Sequence, residues 1–210
     1  ARSRGVDARA AVSAARGAQR AWGEVPAVQR GLLLHRLVVK MEAEQETLAA
    51  VVARETGKSL RDARGEVGAA IQLGLFWASE AQRLYGRTTG SGVAHRTAAT
   101  IRQPVGVAAL IVAANTPIAN VSWKVFPALA CGNAAVLKAA EDTPATAWLF
   151  VELARQAGLP PGVLNLVQGL GVEAGAPLVA DPEVDLVSFT GSLAVGRLLV
   201  PRVGGERRQA

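Results

Sequence analysis

Apolar residues recur at helical spacing through the first 86 positions of the chain. An Ala-rich amphipathic stretch runs from Asp7 to Trp22. Pro26 then stands where a helix can begin without losing a needed N–H. Leu33, Leu34, Leu37, Val38 and Met41 fall on one helical face, followed by Leu48, Val51 and Val52 ahead of a stop at Gly57. A third helix is predicted from Ser59 to Tyr85, with Ile71, Leu75 and Ala78 on one side. Gly86 to Gly92, rich in Gly, Thr and Ser, breaks that rhythm, and Val93 to Arg102 reads as an extended arm.

The pattern changes after Gly92. Short apolar runs of the β type stand at Val105–Val112, Ala134–Leu137, Val163–Val167 and Leu186–Phe189. Between and after them the spacing is helical again, over 118–130, 143–157, 172–180 and 192–200. Strand alternating with helix at this spacing predicts an α/β fold: a Rossmann-like parallel sheet with helices on both faces, preceded by an α-helical N-terminal segment. The organisation expected is a helical segment over 1–92 packing on the sheet unit, an extended arm over 93–103, a Rossmann-like unit over 104–200 and a basic tail over 201–210.

Composition narrows the function classes. The chain has 210 residues, half of them hydrophobic, enough to bury a core and to exclude disorder. A single Cys excludes an internal disulfide framework, and one Cys with two separated His offers no zinc ligand set. The longest apolar run, Val105–Ala114, is too short to cross a bilayer, which takes roughly 20 residues. With no apolar leader at the N-terminus, a reduced cytoplasmic setting is the expectation. The formal charge of +6 invites a nucleic-acid reading. However, the first 64 residues interleave 12 basic with 7 acidic side chains, and aromatics make up only 4% of the chain. That pattern fits solvated helix faces rather than a base-stacking surface, so neither a nucleic acid nor a membrane is expected as partner.

In parallel sheets ligands bind beyond the carboxyl ends of the strands, and each of those ends carries polar or glycine-rich sequence. After the first strand comes Ala113-Ala114-Asn115-Thr116-Pro117. The Asn115 amide could donate to a developing oxyanion, or simply cap the next helix. The second strand delivers Lys138 and, three residues on, Glu141. These could grip ribose hydroxyls, or form an ordinary solvated pair at a helix start. The third ends in Gln168-Gly169-Leu170-Gly171-Val172-Glu173-Ala174-Gly175, a glycine fingerprint whose last spacing is one residue too long for GxGxxG. The fourth ends in Phe189-Thr190-Gly191-Ser192, with Gly196 following, a glycine, a hydroxyl and free N–H groups suited to a pyrophosphate.

Taken in order, PVGVAALIVAANTPIANVSWKVFPALACGNAAVLKAAEDTPATA, GLPPGVLNLVQGLG and DPEVDLVSFTGSLAVG resemble the NAD(P)-dependent aldehyde dehydrogenase superfamily, as does ETGKSLRDARGEV in the helical front. The likeness spans about residues 7–200. It implies that Asn115 holds the substrate oxygen in a tetrahedral thiohemiacetal, and that Lys138 and Glu141 grip the adenosine ribose. Gly171 and Gly175 would form the adenine-side loop, with Gly191, Ser192 and Gly196 beneath the pyrophosphate. Ile111, Val112, Phe189, Thr190 and Val195 would flank the same cofactor. Glu141 would repel a 2′-phosphate, so NAD is expected in preference to NADP. The family reaction is covalent: a cysteine thiolate attacks an aldehyde, hydride passes to the nicotinamide, and a glutamate activates water to release the acid.

Three departures stand out. Ala113, Ala114 and Thr116 replace the larger residues usual around the asparagine, which suggests a roomier channel, and Ala139 replaces the usual proline. Family members are much longer, and their nucleophilic cysteine and general-base glutamate follow the region resembled here. The resemblance therefore implies a truncated cofactor-binding portion, inactive alone. The alternative is a non-catalytic nucleotide-binding or regulatory module, self-associating or paired with a full-length dehydrogenase. Cys131, at the end of an apolar run with neither His35 nor His95 near it in sequence, reads as a small core residue rather than a nucleophile.

Overall fold

The computed structural model describes residues 2–202; the basic tail expected over 201–210 lies, beyond Arg202, outside the described residues. Eight α-helices and six strands follow one another among those residues. Helix α1 (Gly5–Glu24) leads to α2 (Ala27–Ala43), with Pro26 at its N-cap as the sequence predicts. The helix α3 (Gln45–Thr56) stops at Gly57, whose φ of 73° is the left-handed conformation that only glycine adopts cheaply. Helix α4 (Leu60–Glu80) is capped by the Ser59 hydroxyl, which accepts from the Asp62 N–H at 3.1 Å. It ends five residues before the predicted Tyr85, passing into a 3₁₀ turn over Ala81–Arg83.

The break over Gly86–Gly92 and the extended arm that follows it together form a ribbon. Strand β1 (Thr88–Gly90) pairs antiparallel with β2 (Thr97–Ala99), and every residue of both strands is exposed. His95 turns the chain between them with φ 63°.

The sheet proper is parallel throughout. Its strands are β3 (Val107–Ile111), β4 (Ala134–Lys138), β5 (Leu164–Val167) and β6 (Leu186–Phe189), in the order β5-β4-β3-β6. Strand β3 starts two residues later than its apolar run, and Val105 is exposed. Helices α5 (Pro117–Ala130) and α6 (Pro144–Gln156) make the first two crossovers. A wide π-helical turn over Gly171–Gly175 and the short α7 (Ala176–Ala180) make the third, and α8 (Leu193–Leu199) follows β6.

Alternate strand residues face opposite cores. Ala108, Leu110, Ala135 and Leu137 pack with α2 to α6, around Phe126 and Phe150. On the other face Val107, Ala109, Ala134, Val136 and Val167 pack under Ala8, Val12 and Ala15 of α1 and Leu178 of α7. The helical front is thus divided by the sheet, with most of α1 on one side and α2–α4 on the other. Chain order moves from β3 outward through β4 to β5, then returns to β6 on the far side of β3. That reversal opens a crevice at the carboxyl ends of β3 and β6, where such sheets take their ligands.

Candidate functional site

Strand register brings Val167, Lys138, Ile111 and Phe189 into one row across the carboxyl end of the sheet. Above this row lies a cavity of about 660 Å³, within the range of small-molecule and cofactor sites. Its walls come from all the crossover regions: Ile111 to Ala114 after β3, Lys138 and Ala140 to Asp142 after β4, Leu170 to Val172 with Gly175 and Ala176 after β5, and Phe189 to Ser192 with Val195, Leu198 and Leu199 after β6. Every residue expected at the cofactor is in this lining except Gly196. Asn115 lies immediately past the Ala113–Ala114 end of it and is exposed.

Lys138 and Glu141 are a pinned pair with a buried lysine and a half-exposed carboxylate. Lys138 is 3% exposed, and its Nζ donates to Glu141 Oε2 at 2.7 Å. Partial burial works against ionisation of Glu141. It is outweighed by the Lys138 hydrogen bond, the residue's own N–H, the lysine charge and the Gly171 N–H, which together hold the carboxyl below its ordinary range. Glu141 therefore ties the end of β4 to the start of the π-turn while keeping part of its carboxylate in the cavity.

The extra residue in the glycine fingerprint has a structural counterpart. A standard α-turn has no room for it, and the chain absorbs it as a π-turn over Gly171–Gly175, a feature frequent at functional sites. A Cβ at Gly171 would stand in open space, and one at Gly175 would meet only Lys138 Cε, at 4.0 Å. The backbone itself forms that wall. At the β6 end, Ser192 caps α8 by accepting from Val195 N–H at 3.3 Å. A Cβ on Gly191 would overlap the Phe189 ring, and one on Gly196 would touch it at 3.5 Å, so these glycines make room for Phe189.

Asn115 does not cap α5. The N–H groups of Ile118 and Ala119 are taken by Glu66 Oε1, at 3.0 and 3.2 Å, and Lys58 pairs with the other carboxylate oxygen. Glu55 caps α6 in the same way, on the N–H groups of Ala145 and Thr146 at 2.6 and 2.9 Å. Two helix N-termini beside the site are thus already neutralised by carboxylates from α3 and α4. The sequence reading missed both caps, along with the apolar walls Leu170, Val172 and Leu198. The caps had a signal in Glu55 and Glu66, which bracket the matched ETGKSLRDARGEV segment. Lys124 also escaped notice: it is half-buried, bonds Ser188 Oγ at 2.7 Å, and burial pushes its pKa down.

Cys131 sits at the C-cap of α5, one 14-residue helix away from the cavity end, or roughly 20 Å. Burial raises its thiol pKa, against the pull of Arg30 and Arg102. His35 and His95 are both exposed, and the described residues hold no cluster of three metal-ligating side chains. No described helix is long and apolar enough to cross a membrane.

With this geometry in view, comparison with known proteins is specific. The sequence matches the aldehyde dehydrogenase family profile over residues 1–209. It is 40% identical over 187 residues to the 2,5-dioxopentanoate dehydrogenase of Saccharolobus solfataricus, covering 89% of this chain and 39% of that protein. It is 39% identical over 209 residues to an NADP/NAD-dependent aldehyde dehydrogenase of Escherichia coli, covering 97% of this chain and 42% of the relative. Among solved structures, betaine aldehyde dehydrogenase of Staphylococcus aureus in complex with NAD⁺ superposes with a TM-score of 0.95 at 31% identity, over 99% of this chain and 43% of that one. The chain spans about two-fifths of the length of these relatives.

Proposed function

The chain belongs to the aldehyde dehydrogenase family, and on that premise we propose that it is the dinucleotide-binding part of an enzyme oxidising an aldehyde to a carboxylic acid. The observation carrying the proposal is the cavity at the β3/β6 reversal, lined by the segments that follow all four strands. Its surfaces fit a dinucleotide. Bare backbone at Gly171 and Gly175 admits close approach, Leu170, Val172 and Leu198 offer apolar walls, and Glu141 offers a carboxylate to ribose hydroxyls. The same ionised carboxylate would repel a 2′-phosphate, which supports NAD over NADP.

The bound cofactor would supply a hydride acceptor. The chain's own residues hold and orient it: Lys138 fixes Glu141, the π-turn closes the adenine side, and the Gly191–Ser192 turn receives the phosphates. Asn115, at the other end of the cavity, would donate its side-chain NH₂ to the aldehyde oxygen as negative charge develops there. Removing one such donor typically costs ~10²–10³ in rate. Attack on the aldehyde needs a thiolate. The only thiol in the sequence, Cys131, is partly buried, raised in pKa and far from the cavity. These 210 residues are therefore expected to bind the nucleotide without turning over aldehyde, which favours a binding module as the second reading of the isolated chain.

Calorimetry on the folded chain tests the proposal. NAD and ADP-ribose should both bind, with NADP weaker, and no heat at millimolar NAD would remove nucleotide binding. NAD-dependent aldehyde oxidation that survives Cys131→Ala would overturn the expected inactivity.

A further inference from the structure

Asn120 is an odd residue for its place. It lies on the first turns of α5 in the otherwise apolar run Ile118-Ala119-Asn120-Val121, and it is 1% exposed. A buried amide without partners is strongly disfavoured, so its hydrogen bonds must be found nearby. They all converge on the turn between β3 and α5. Asn120 Nδ2 is 3.0 Å from Thr116 O, 3.0 Å from Thr116 Oγ1, 3.3 Å from Asn115 Oδ1 and 3.5 Å from Ala113 O. Thr116 O already accepts the helical bond from the Asn120 backbone N–H at 2.9 Å. Thr116 O can accept a second bond, so it shares the Nδ2 hydrogens with the two side-chain oxygens in reach, Thr116 Oγ1 and Asn115 Oδ1.

We propose that Asn120 is a positioning residue for Asn115: by donating to the Asn115 side-chain oxygen it turns the Asn115 NH₂ outward, toward the substrate oxygen. This rests on the reading of Asn115 given above and adds what sets its orientation. A primary amide is planar, with oxygen and nitrogen on opposite sides of its terminal carbon. Exposed and unheld, Asn115 could rotate by a half-turn and present its oxygen instead, which would repel a developing oxyanion. Only one of the two orientations is productive. In the structure the Asn115 oxygen faces Asn120, and among the described residues its NH₂ has no protein acceptor. The helix that carries Asn120 cannot drift, because Glu66 and Lys58 clamp its first turn.

Side-chain ¹⁵N relaxation and exchange on the 210-residue chain, with neither aldehyde nor nucleotide present, test the proposal. In Asn120→Leu the order parameter of the Asn115 NH₂ should drop from its wild-type value by about 0.25, the gap that separates rigid from flexible backbone. The apolar residue keeps the volume, and the side-chain oxygens it leaves, on exposed Asn115 and half-buried Thr116, can turn to water, so the fold should persist. Unchanged backbone shifts over Val107–Ile111 would verify that. Thr116→Val should leave Asn115 ordered; loss of order there would assign the hold to the hydroxyl and overturn the proposal. So would an Asn115 that stays ordered in Asn120→Leu. Should that variant fail to fold, the wild type decides: an Asn115 NH₂ clearly more ordered than that of the exposed Gln82 supports the proposal, and one equally mobile would overturn it. None of these readouts depends on turnover. A mobile Asn115 in Asn120→Leu would uphold the positioning role even if Asn115→Ala proved silent in a complete dehydrogenase, a result that would sink the oxyanion reading alone.

Discussion

Glu141 does two jobs whose electrostatics can be separated by pH. As a structural anion it holds the buried Lys138 ammonium and the Gly171 N–H, and these contacts hold its own pKa below the ordinary carboxylate range. A carboxyl with a lowered folded pKa stabilises the fold above its unfolded value, about 4.3, and loses that stabilisation as pH falls through the folded one. Glu141→Gln should therefore be less stable than the wild type at pH 7, by no more than about 1 kcal/mol because the side chain is nearly half exposed and screened. The difference should close as pH falls below about 4, read from urea midpoints at both ends. As a recognition group, the same substitution should narrow the preference for NAD over NADP in titration. The glycines offer a second contrast. Gly191→Ala forces the Phe189 ring to shift and should destabilise by about 1–3 kcal/mol, whereas Gly171→Ala meets open cavity and should stay within about 0.5 kcal/mol. Lys138, Glu141 and the glycines were legible because strand ends with polar or glycine residues stand out against apolar runs. The burial of Lys138 was not, since it depends on α1 and the π-turn, distant in sequence, closing over the row that contains it.

At the scale of elements, the helices and strands of the sheet unit followed from apolar periodicity and from Pro and Gly punctuation. Pro117 and Pro144 open α5 and α6 at their first positions, where a missing N–H costs nothing. Two elements escaped for physical reasons. The ribbon of β1 and β2 has no buried face, so it leaves no alternation to read. The π-turn is defined by a one-residue excess in a glycine pattern, visible as a mismatch but without a conformation attached. The helix caps are the third lesson. Glu66 is a charged residue from α4 that works at the start of α5, across 52 positions of sequence, and only the packing of α4 on α5 brings it there. Its carboxylate carries two backbone N–H groups and an ion pair while the side chain is 6% exposed. Glu66→Ala should therefore cost about 2–3 kcal/mol in denaturant midpoint, and Glu66→Gln less, because one acceptor oxygen survives. Glu55→Ala, at a more open cap, should cost about 1 kcal/mol. If the Glu66 pair is instead worth no more than a surface salt bridge, both Glu66 substitutions will fall within about 0.5 kcal/mol and Glu66 does not clamp the Asn115 turn.

The whole molecule shows more apolar surface than its cores require. Ile101 is 81% exposed beside the ribbon, with Tyr85 and Val105 also exposed nearby in sequence, while Leu193 and Leu198 lie open on α8. Among the described residues strand β6 has no partner on its outer side in the sheet order, and a free edge offers N–H and C=O groups to another chain. A two-stranded ribbon is marginal by itself, so β1 and β2 gain most from something that covers them. These features together predict self-association at micromolar concentration. Charge sets the sign of its salt dependence. With a formal net charge of +6, copies repel at low ionic strength, and raising salt to about 0.15 M shortens the screening length to about 8 Å and should strengthen association. Association through ion pairs would weaken instead, so the salt series separates an apolar contact from an electrostatic one. Sedimentation should show the average mass rising with both concentration and salt, and Ile101→Lys should return it toward the monomer if the ribbon is the contact. A substitution on α8 such as Leu193→Lys serves as the matched control: should it alone abolish association, the contact lies on the β6 side and the ribbon is covered by nothing in this assembly. A chain that stays monomeric throughout the series would show that the exposed ribbon and edge are tolerated as they stand.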